Sequence, residues 1–200
     1  MTMKSEIEAK FLNVNHDELR AKLTAVGAIL EQPMRTMRRV VIHTPTMTDK
    51  NAFVRVRDEG NRITITYKQF DEDSIDGAKE YEVEVSDFET VVGLLTAAGL
   101  EHDTFQESRR ENWRLGEVEV MLDEWPWLEP YVEIEGPTEE SVRALADKLG
   151  FVWTNAIFGG VANAYQMQYP HIGEEGITEI NQNWSVIKFS EPKPALIATR

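Results

Sequence analysis

The chain has 200 residues and a formal net charge of −14, from 35 acidic and 21 basic side chains. Nucleic acids and anionic membranes attract proteins with a dominant positive field, so this balance excludes a general binder of either kind. Cysteine is absent, which excludes disulfides, thiolate nucleophiles and zinc–thiolate sites. The length suits one domain with a substantial core, and no apolar segment is long enough for a signal peptide or a membrane span. We therefore expect a cytoplasmic protein.

The first predicted strand, at residues 5–12, alternates charged with apolar side chains. Successive side chains of a strand point to opposite faces, so Glu6, Glu8 and Lys10 share one face and the apolar residues between them share the other. Further strands are predicted at residues 35–43, 51–58, 62–70, 79–85, 105–115, 117–123 and 130–136. Eight strands joined mostly by short turns indicate a mainly antiparallel sheet.

Three helices are predicted from capping residues and apolar stripes, at residues 15–27, 86–99 and 138–150. Their apolar stripes need an apolar surface to cover, which places the apolar faces of the strands outside, under the helices. The charged faces then turn inward, and only a sheet that curls on itself provides such an interior. We therefore predict an α+β fold in which a closed eight-stranded antiparallel β-barrel forms a tunnel with the helices packed outside.

The same alternation predicts which polar residues face the interior of the barrel. They are Glu6, Glu8, Lys10, Arg55, Arg57, Thr64, Thr66, Lys68, Glu80, Glu82, Glu84, Arg110, Glu119, Asp123, Glu133 and Glu135. Carboxylates outnumber cations in this set, and unpaired carboxylates inside a barrel are costly unless a divalent metal or a pKa shift compensates. Oxygen ligands suit Mg²⁺ or Mn²⁺, and these metals, arginine and lysine all bind phosphate oxygens. The residues therefore indicate a polyphosphate ligand carried with its metal ions.

These motifs, in this order along the chain, resemble the CYTH domain of the triphosphate tunnel metalloenzymes. The motifs are Glu6-x-Glu8-x-Lys10, Arg55-x-Arg57, Thr64-x-Thr66-x-Lys68, Glu80-x-Glu82-x-Glu84, Arg109-Arg110, Leu122-Asp123-Glu124 and Val132-Glu133-Ile134-Glu135. The superfamily includes thiamine triphosphatases, inorganic triphosphatases and class IV adenylyl cyclases. The resemblance covers about residues 5–165. It implies an eight-stranded tunnel, a substrate with a triphosphate moiety and dependence on a divalent metal such as Mg²⁺ or Mn²⁺.

The resemblance also implies roles for individual residues. Phosphate oxygens would be bound by Lys10, Arg55, Arg57, Lys68 and Arg110. Metal ions would be bound or oriented by Glu6, Glu8, Asp123, Glu133 and Glu135. Catalysis would depend on Lys10, Glu133 and Glu135, with Glu80, Glu82 and Glu84 in support.

Three departures from the family pattern bear on function. An aspartate-containing strand of the family corresponds here to the sequence from Arg38 to Pro45, where Arg38 or Arg39 is available for phosphate, and we assign Arg39 to substrate binding. A Lys-x-Arg motif of the sixth strand reads Ser108-Arg109-Arg110, so one lysine is missing. No His-Phe pair precedes Glu6, which argues against the cyclase subgroup.

The leading hypothesis is a Mg²⁺- or Mn²⁺-dependent hydrolase of inorganic triphosphate or of an organic triphosphate such as thiamine triphosphate, with water attacking the terminal phosphorus. Three alternatives remain open. The first is a class IV adenylyl cyclase that makes cyclic AMP and pyrophosphate from ATP. The others are a polyphosphate-binding module without turnover, and an ion-paired sheet without a ligand.

Residues 1–169 are predicted to form the tunnel domain, and residues 170–200 a C-terminal tail with one strand at Trp184 to Phe189. The apolar side chains of that strand need cover, so we expect the tail to pack as a lid over the tunnel mouth or as a contact in a homodimer. Trp125, Trp127 and Trp153 either pack against apolar neighbours or stack an organic base, and we favour packing.

Overall fold

The computed structural model describes residues 3–71, 74–102, 104–173, 176, 184 and 186–198. Within them, an antiparallel sheet curls strongly around a charged interior and helices pack on its outer surface, so the fold is α+β as predicted. The strands are β1 (Lys4–Ser5), β2 (Glu8–Phe11), β3 (Ile29–Ile42), β4 (Ala52–Asp58), β5 (Ile63–Phe70), β6 (Ala78–Val85), β7 (Thr104–Leu115), β8 (Val118–Glu124), β9 (Tyr131–Glu135) and β10 (Val186–Ile187).

Hydrogen bonds connect the strands in the order β1-β6-β5-β4-β3-β7-β8-β9-β2, and neighbours on this path are antiparallel. The two ends of the path come from one N-terminal segment. Lys4 of β1 pairs with Glu80 of β6, whereas Lys10 of β2 pairs with Glu133 of β9. The N-terminal segment therefore contacts both ends of the curl.

The predicted closed barrel of eight strands differs from the sheet that the structure shows. The first predicted strand is divided at Glu6 and Ile7 into β1, which pairs with β6, and β2, which pairs with β9. The backbone N–H of Glu6 donates to the carbonyl of Ala78 at 2.9 Å, and the N–H of Gly136 donates to the carbonyl of Ile7 at 3.0 Å. The structure thus shows a strongly curled sheet whose path has nine strands.

Strand β3 is longer than the predicted strand at residues 35–43. It begins at Ile29, and its register against β7 shifts on both sides of Gln32. Pro33 lies in the second register shift, where the pairing of β3 with β7 is already irregular. Its lack of a backbone N–H therefore does not break a regular ladder of hydrogen bonds. The irregular half of β3 thus extends the sheet beyond the alternating segment that the sequence predicted.

The three predicted helices are all present. Helices of the described residues are α1 (His16–Ala25), α2 (Pro45–Thr48), α3 (Phe88–Ala97), α4 (Glu139–Leu149), α5 (Val161–Gln168) and α6 (Ala195–Ala198), with 3₁₀ turns at Trp153–Asn155 and Pro170–Ile172. The side chain of Asn15 caps α1 and that of Thr138 caps α4, as predicted. For α3 the cap is Asp87 rather than Ser86. No helix of the described residues is both long enough and apolar enough to cross a membrane.

Two apolar clusters hold helices against the outer face of the sheet. One joins α1 and α4 to β2, β8 and β9 through Ala9, Phe11, Leu19, Leu23, Val120, Leu122, Ile134, Val142, Leu145 and Leu149. The other joins α3 to β3 and β4 through Val40, Ile42, Val56, Phe88 and Leu95. Each large side chain buried in this way contributes about 1.5–3 kcal/mol. The apolar faces of these strands therefore lie outside and their charged faces inside, as the alternation predicted.

A third cluster joins C-terminal residues to the connection between β8 and β9. It contains Trp125, Leu128, Tyr131, Ala164, Tyr165, Tyr169, Ile172, Ile187 and Ile197. Strand β10 lies within the predicted strand at Trp184 to Phe189 and pairs in parallel with β7, with Val186 opposite Phe105. The described part of the tail is thus packed against one end of the sheet.

Candidate functional site

The curled sheet surrounds a cavity of about 380 Å³. Most of the predicted site residues line it, and they come from strands that are distant in sequence. These lining residues are Glu6, Glu8, Lys10, Arg39, Arg55, Arg57, Lys68, Glu80, Glu82, Arg110, Glu119, Glu133 and Glu135. Carboxylates predominate on one wall and arginines on the other, and the two walls meet where Arg110 lies 3.6 Å from Glu133.

The acidic wall consists of Glu6, Glu8, Glu80, Glu133 and Glu135. Two lysines lie within it. The Nζ atom of Lys10 is 2.7 Å from Oε1 of Glu8 and 3.1 Å from Oε2 of Glu133. The Nζ atom of Lys68 is 2.5 Å from Oε2 of Glu6. Two lysines among five carboxylates leave the wall with an excess of negative charge.

Three carboxylates of the acidic wall lie close enough to share one metal ion. Glu8, Glu133 and Glu135 each offer an oxygen within 4.8 Å of the other two. The register explains this, since Glu8 and Glu135 are opposite each other on β2 and β9. Carboxylate oxygens are the ligand type that Mg²⁺ and Mn²⁺ prefer, so the donor set fits either metal.

The pKa values of these carboxyl groups reflect their crowding. Burial, reinforced by Glu6 and Glu133, raises the pKa of Glu135 to about 7. Burial and then Glu133 also raise the pKa of Glu8, although Lys10 opposes them. Burial favours a raised pKa for Glu133 too, but Lys10 and a neighbouring arginine outweigh it and lower that pKa. A divalent cation at this position would stabilise the ionised form of all three groups.

The basic wall consists of Arg39, Arg55, Arg57 and Arg110. Arg39 and Arg57 are opposite each other on β3 and β4. Burial, followed by repulsion from Arg55 and Arg57, lowers the pKa of Arg39 to about 9. Burial, followed by Arg55, lowers the pKa of Arg57 to about 10. Among the described residues, the buried Nε atoms of Arg55 and Arg57 have no hydrogen-bond partner. A bound anion would offset this crowding of cations.

Glu59 is a buried residue of the site that the sequence interpretation missed. Its carboxylate lies 2.5 Å from the guanidinium of Arg57, 3.2 Å from that of Arg62 and 3.3 Å from that of Arg35. Burial alone would raise the pKa of Glu59, but Arg57 and Arg62 lower it to about 2. Glu59 continues the alternation of Arg55 and Arg57, and this signal was overlooked because the strand was expected to end at residue 58.

Other lining residues were also missed. They include Arg62, Gln106, Ser108, Asn112, Tyr131 and the segment 159–163. Gln106, Ser108 and Asn112 alternate on β7 in phase with Arg110, so the sequence carried a signal for them. The segment before and at the start of α5 carries no charge and gave no such signal.

Two predicted site residues lie elsewhere. Asp123 is fully buried and accepts two hydrogen bonds from Arg110, at 2.7 and 2.6 Å, and it does not belong to the three-carboxylate group. Its position suits orienting Arg110. Glu84 is exposed and does not line the cavity. It pairs with Thr64 near the end of β6, where the inward face continues past the cavity.

Trp125 packs as predicted, and one partner is a residue of the basic wall. The guanidinium carbon of Arg39 lies 4.4 Å from the centroid of the Trp125 ring. Arg39 also donates from Nε to Oε1 of Gln106 at 2.7 Å. The ring face of Trp125 therefore lies against a guanidinium group that lines the cavity.

Comparison with known proteins identifies the family of this chain. The fold matches a protein from Pyrococcus horikoshii OT3, with 25% identity and a TM-score of 0.64 over 76% of this chain and 93% of that chain. It also matches a proposed adenylate cyclase from Vibrio parahaemolyticus, with 15% identity and a TM-score of 0.70 over 82% of this chain and 98% of that chain.

A third match is a proposed adenylyl cyclase from Hippeastrum that is described as having a dominant triphosphatase activity. Its identity is 15% and its TM-score 0.54, over 78% of this chain and 91% of that chain. No functionally curated protein matches the sequence. The family model of the CYTH domain matches residues 4–155, which is more than half of the chain. The protein therefore belongs to the CYTH domain family.

Proposed function

We propose that this protein hydrolyses a triphosphate-containing substrate in its cavity with the help of Mg²⁺ or Mn²⁺. The observation that carries the proposal is the division of one cavity into an acidic and a basic wall. The acidic wall has more carboxylates than lysines, and in the basic wall the buried Nε atoms of Arg55 and Arg57 have no hydrogen-bond partner among the described residues. A triphosphate that enters with a divalent metal supplies both charges at once.

The basic wall would bind the phosphate oxygens. Guanidinium groups form charge-assisted and often bidentate hydrogen bonds with phosphate, and the buried Nε atoms of Arg55 and Arg57 are available for such bonds. Two carboxylates at the edges of the basic wall hold two of its arginine side chains in place. Asp123 holds Arg110 through two hydrogen bonds, and Glu59 contacts Arg57.

The acidic wall would hold the metal through Glu8, Glu133 and Glu135. When bound there, a divalent ion supplies positive charge that offsets the negative charge of the phosphate oxygens. Lys10 lies between Glu8 and Glu133. Burial favours its neutral form, but Glu133 and Glu8 raise its pKa above the ordinary value. Lys10 therefore stays protonated and acts as a donor to phosphate oxygens, while water attacks the terminal phosphorus.

We also infer that the curled sheet functions as a tunnel. The N-terminal segment contacts both β6 and β9, which supports closure of the wall around the substrate. Within such a tunnel, Lys10, Glu133 and Glu135 would be the catalytic residues. Glu6, Glu80 and Glu82 would set the charge around them.

The test compares the products formed from inorganic triphosphate, thiamine triphosphate and ATP, each with Mg²⁺, with Mn²⁺ and with a chelator. We expect phosphate release from a triphosphate that requires the metal, and little cyclic AMP from ATP. Production of cyclic AMP and pyrophosphate with little free phosphate would instead identify a cyclase. Tight binding of triphosphate without any product would identify a binding module.

A further inference from the structure

We propose that Trp125 positions Arg39 for phosphate binding, and that α5 and the C-terminal residues hold Trp125 in place. This inference rests on the proposed function of the cavity, because it assigns Arg39 to the substrate. It gives residues beyond the matched family region a role in that site, since the family model ends at residue 155.

Arg39 differs from the other arginines of the basic wall in what holds it. Arg110 is held by Asp123 and Arg57 by Glu59, whereas Arg39 forms no ion pair with a described carboxylate. Its fixed contacts are the ring face of Trp125 and the side-chain oxygen of Gln106. A guanidinium held by a ring face and a neutral acceptor keeps its full charge available to an anion.

The position of Trp125 depends on residues of α5. Trp125 begins the connection between β8 and β9, and side chains of α5 hydrogen-bond to the backbone of this connection. Tyr165 Oη donates to the carbonyl of Pro126 at 2.6 Å. Gln168 accepts from the N–H of Glu129 at 2.8 Å and donates to the carbonyl of Trp127 at 3.3 Å. Together these three hydrogen bonds define one conformation for the connection.

The C-terminal residues support both contacts of Arg39. Ile187 is 1% exposed and belongs to the same apolar cluster as Trp125 and Tyr165. It is also opposite Gln106 in the pairing of β10 with β7. The carbonyl of Glu191 accepts a hydrogen bond from the indole of Trp127 at 3.1 Å. The C-terminal residues therefore pack behind the two groups that orient Arg39.

A double-mutant cycle tests whether Trp125 acts through Arg39. The binding of inorganic triphosphate is measured by calorimetry with a chelator present, so that no turnover accompanies binding, for the wild type, Arg39→Met, Trp125→Leu and the double variant. KM and kcat are measured with Mg²⁺. We expect Trp125→Leu to weaken binding about tenfold and to raise KM more than it changes kcat. In the Arg39→Met background, Trp125→Leu should weaken binding no further, because the group it positions is gone.

Conservative variants and a matched control complete the test. Trp125→Phe keeps a ring face and should restore most of the affinity. Tyr165→Phe removes only the hydroxyl that holds the connection, and should weaken binding about threefold. The control is Trp153→Leu, since Arg143 lies 4.3 Å from the Trp153 ring in the same kind of pair, outside the cavity. Trp153→Leu should leave triphosphate affinity unchanged.

The outcomes separate this inference from the function on which it rests. Equal losses from Trp125→Leu in both backgrounds would overturn the positioning role while leaving the hydrolase intact. If Trp125→Leu does not fold, as judged by its melting temperature, the same cycle with Tyr165→Phe decides the question. A wild-type protein that neither binds nor hydrolyses triphosphate would refute the proposed function, and the role of Trp125 with it.

Discussion

Two carboxyl groups of the acidic wall and two guanidinium groups of the basic wall have pKa shifts of opposite direction for the same physical reason. In the acidic wall the pKa values of Glu80 and Glu135 rise to about 7. In the basic wall the pKa values of Arg39 and Arg57 fall to about 9 and about 10. Burial is the largest cause in each case, and neighbouring groups of like charge add to it.

This segregation has a consequence that an evenly mixed interior would not have. Interleaved charges form ion pairs and need no ligand. Separated charges keep a net negative region and a net positive region within one cavity of about 380 Å³. A cation bound in the negative region and an anion bound in the positive region together offset both excess charges. Either ion alone offsets only one of them. The comparison of the walls therefore favours a metal–triphosphate complex over an ion-paired sheet without a ligand.

The largest expected effect comes from removing one charge from the acidic wall at the three-carboxylate group. Glu135→Gln should lower metal-dependent triphosphate hydrolysis by about 100-fold or more, because a weaker neutral oxygen replaces a charged ligand. The melting temperature without metal should stay the same or rise, since repulsion from Glu6 and Glu133 is relieved. Initial rates of phosphate release and thermal unfolding give both values.

The matched control for this experiment is Glu84→Gln. It makes the same chemical change on β6, at an exposed side chain that does not line the cavity. We expect wild-type rates from it. Wild-type rates from Glu135→Gln would instead show that the three-carboxylate group is not the metal site.

The second prediction concerns the basic wall. It compares substitutions of two adjacent arginines whose side chains lie on opposite faces of β3. Arg39 lines the cavity, whereas Arg38 lies on the outer surface with Asp58 and Glu89. Arg39→Met should weaken triphosphate binding by about tenfold or more. It should also raise the melting temperature without ligand by about 2 °C, because fewer cations are crowded together.

Arg38→Met should leave triphosphate affinity unchanged and should not raise the melting temperature, because it removes two outer ion pairs instead of a repulsion. Binding calorimetry and thermal unfolding of the two variants check both statements. Equal losses of affinity from both changes would mean that general surface charge, and not the basic wall, attracts the substrate.

Much of this site was predictable because alternation along a strand is a local property. Glu8, Lys10, Arg55 and Arg57 occupy the inward face that their spacing predicted. Alternation predicts on which face of the sheet a side chain lies. It does not predict how far along the strand the cavity extends. Glu84 keeps the inward phase of β6 and yet lies past the cavity, where the side chain is exposed.

The remaining differences depend on partners that are distant in sequence. Asp123 has the predicted phase, but its two hydrogen bonds with Arg110 take up its carboxylate. The first strand is divided into β1 and β2, which pair with β6 and β9, and both of these strands are distant from it in sequence. The support of Trp125 depends on α5 and on β10, which no local pattern connects to the β8–β9 connection.

The smallest expected effect is a pH dependence of stability that arises in the acidic wall. Burial, followed by Glu6, raises the pKa of Glu80 from 4.5 to about 7 in the folded protein. Between these pH values the unfolded chain binds fewer protons than the folded one, so stability falls as pH rises through this window and stays lower above it. Glu80→Gln should therefore match the wild type near pH 4 and be more stable at pH 8, by about 1 kcal/mol after allowance for solvent screening at this half-buried side chain. Urea unfolding without metal or phosphate measures the difference, with Glu84→Gln as the control on the same strand. An equal pH dependence in Glu80→Gln and the wild type would show that Glu80 ionises normally and that the acidic wall is less crowded than its geometry indicates.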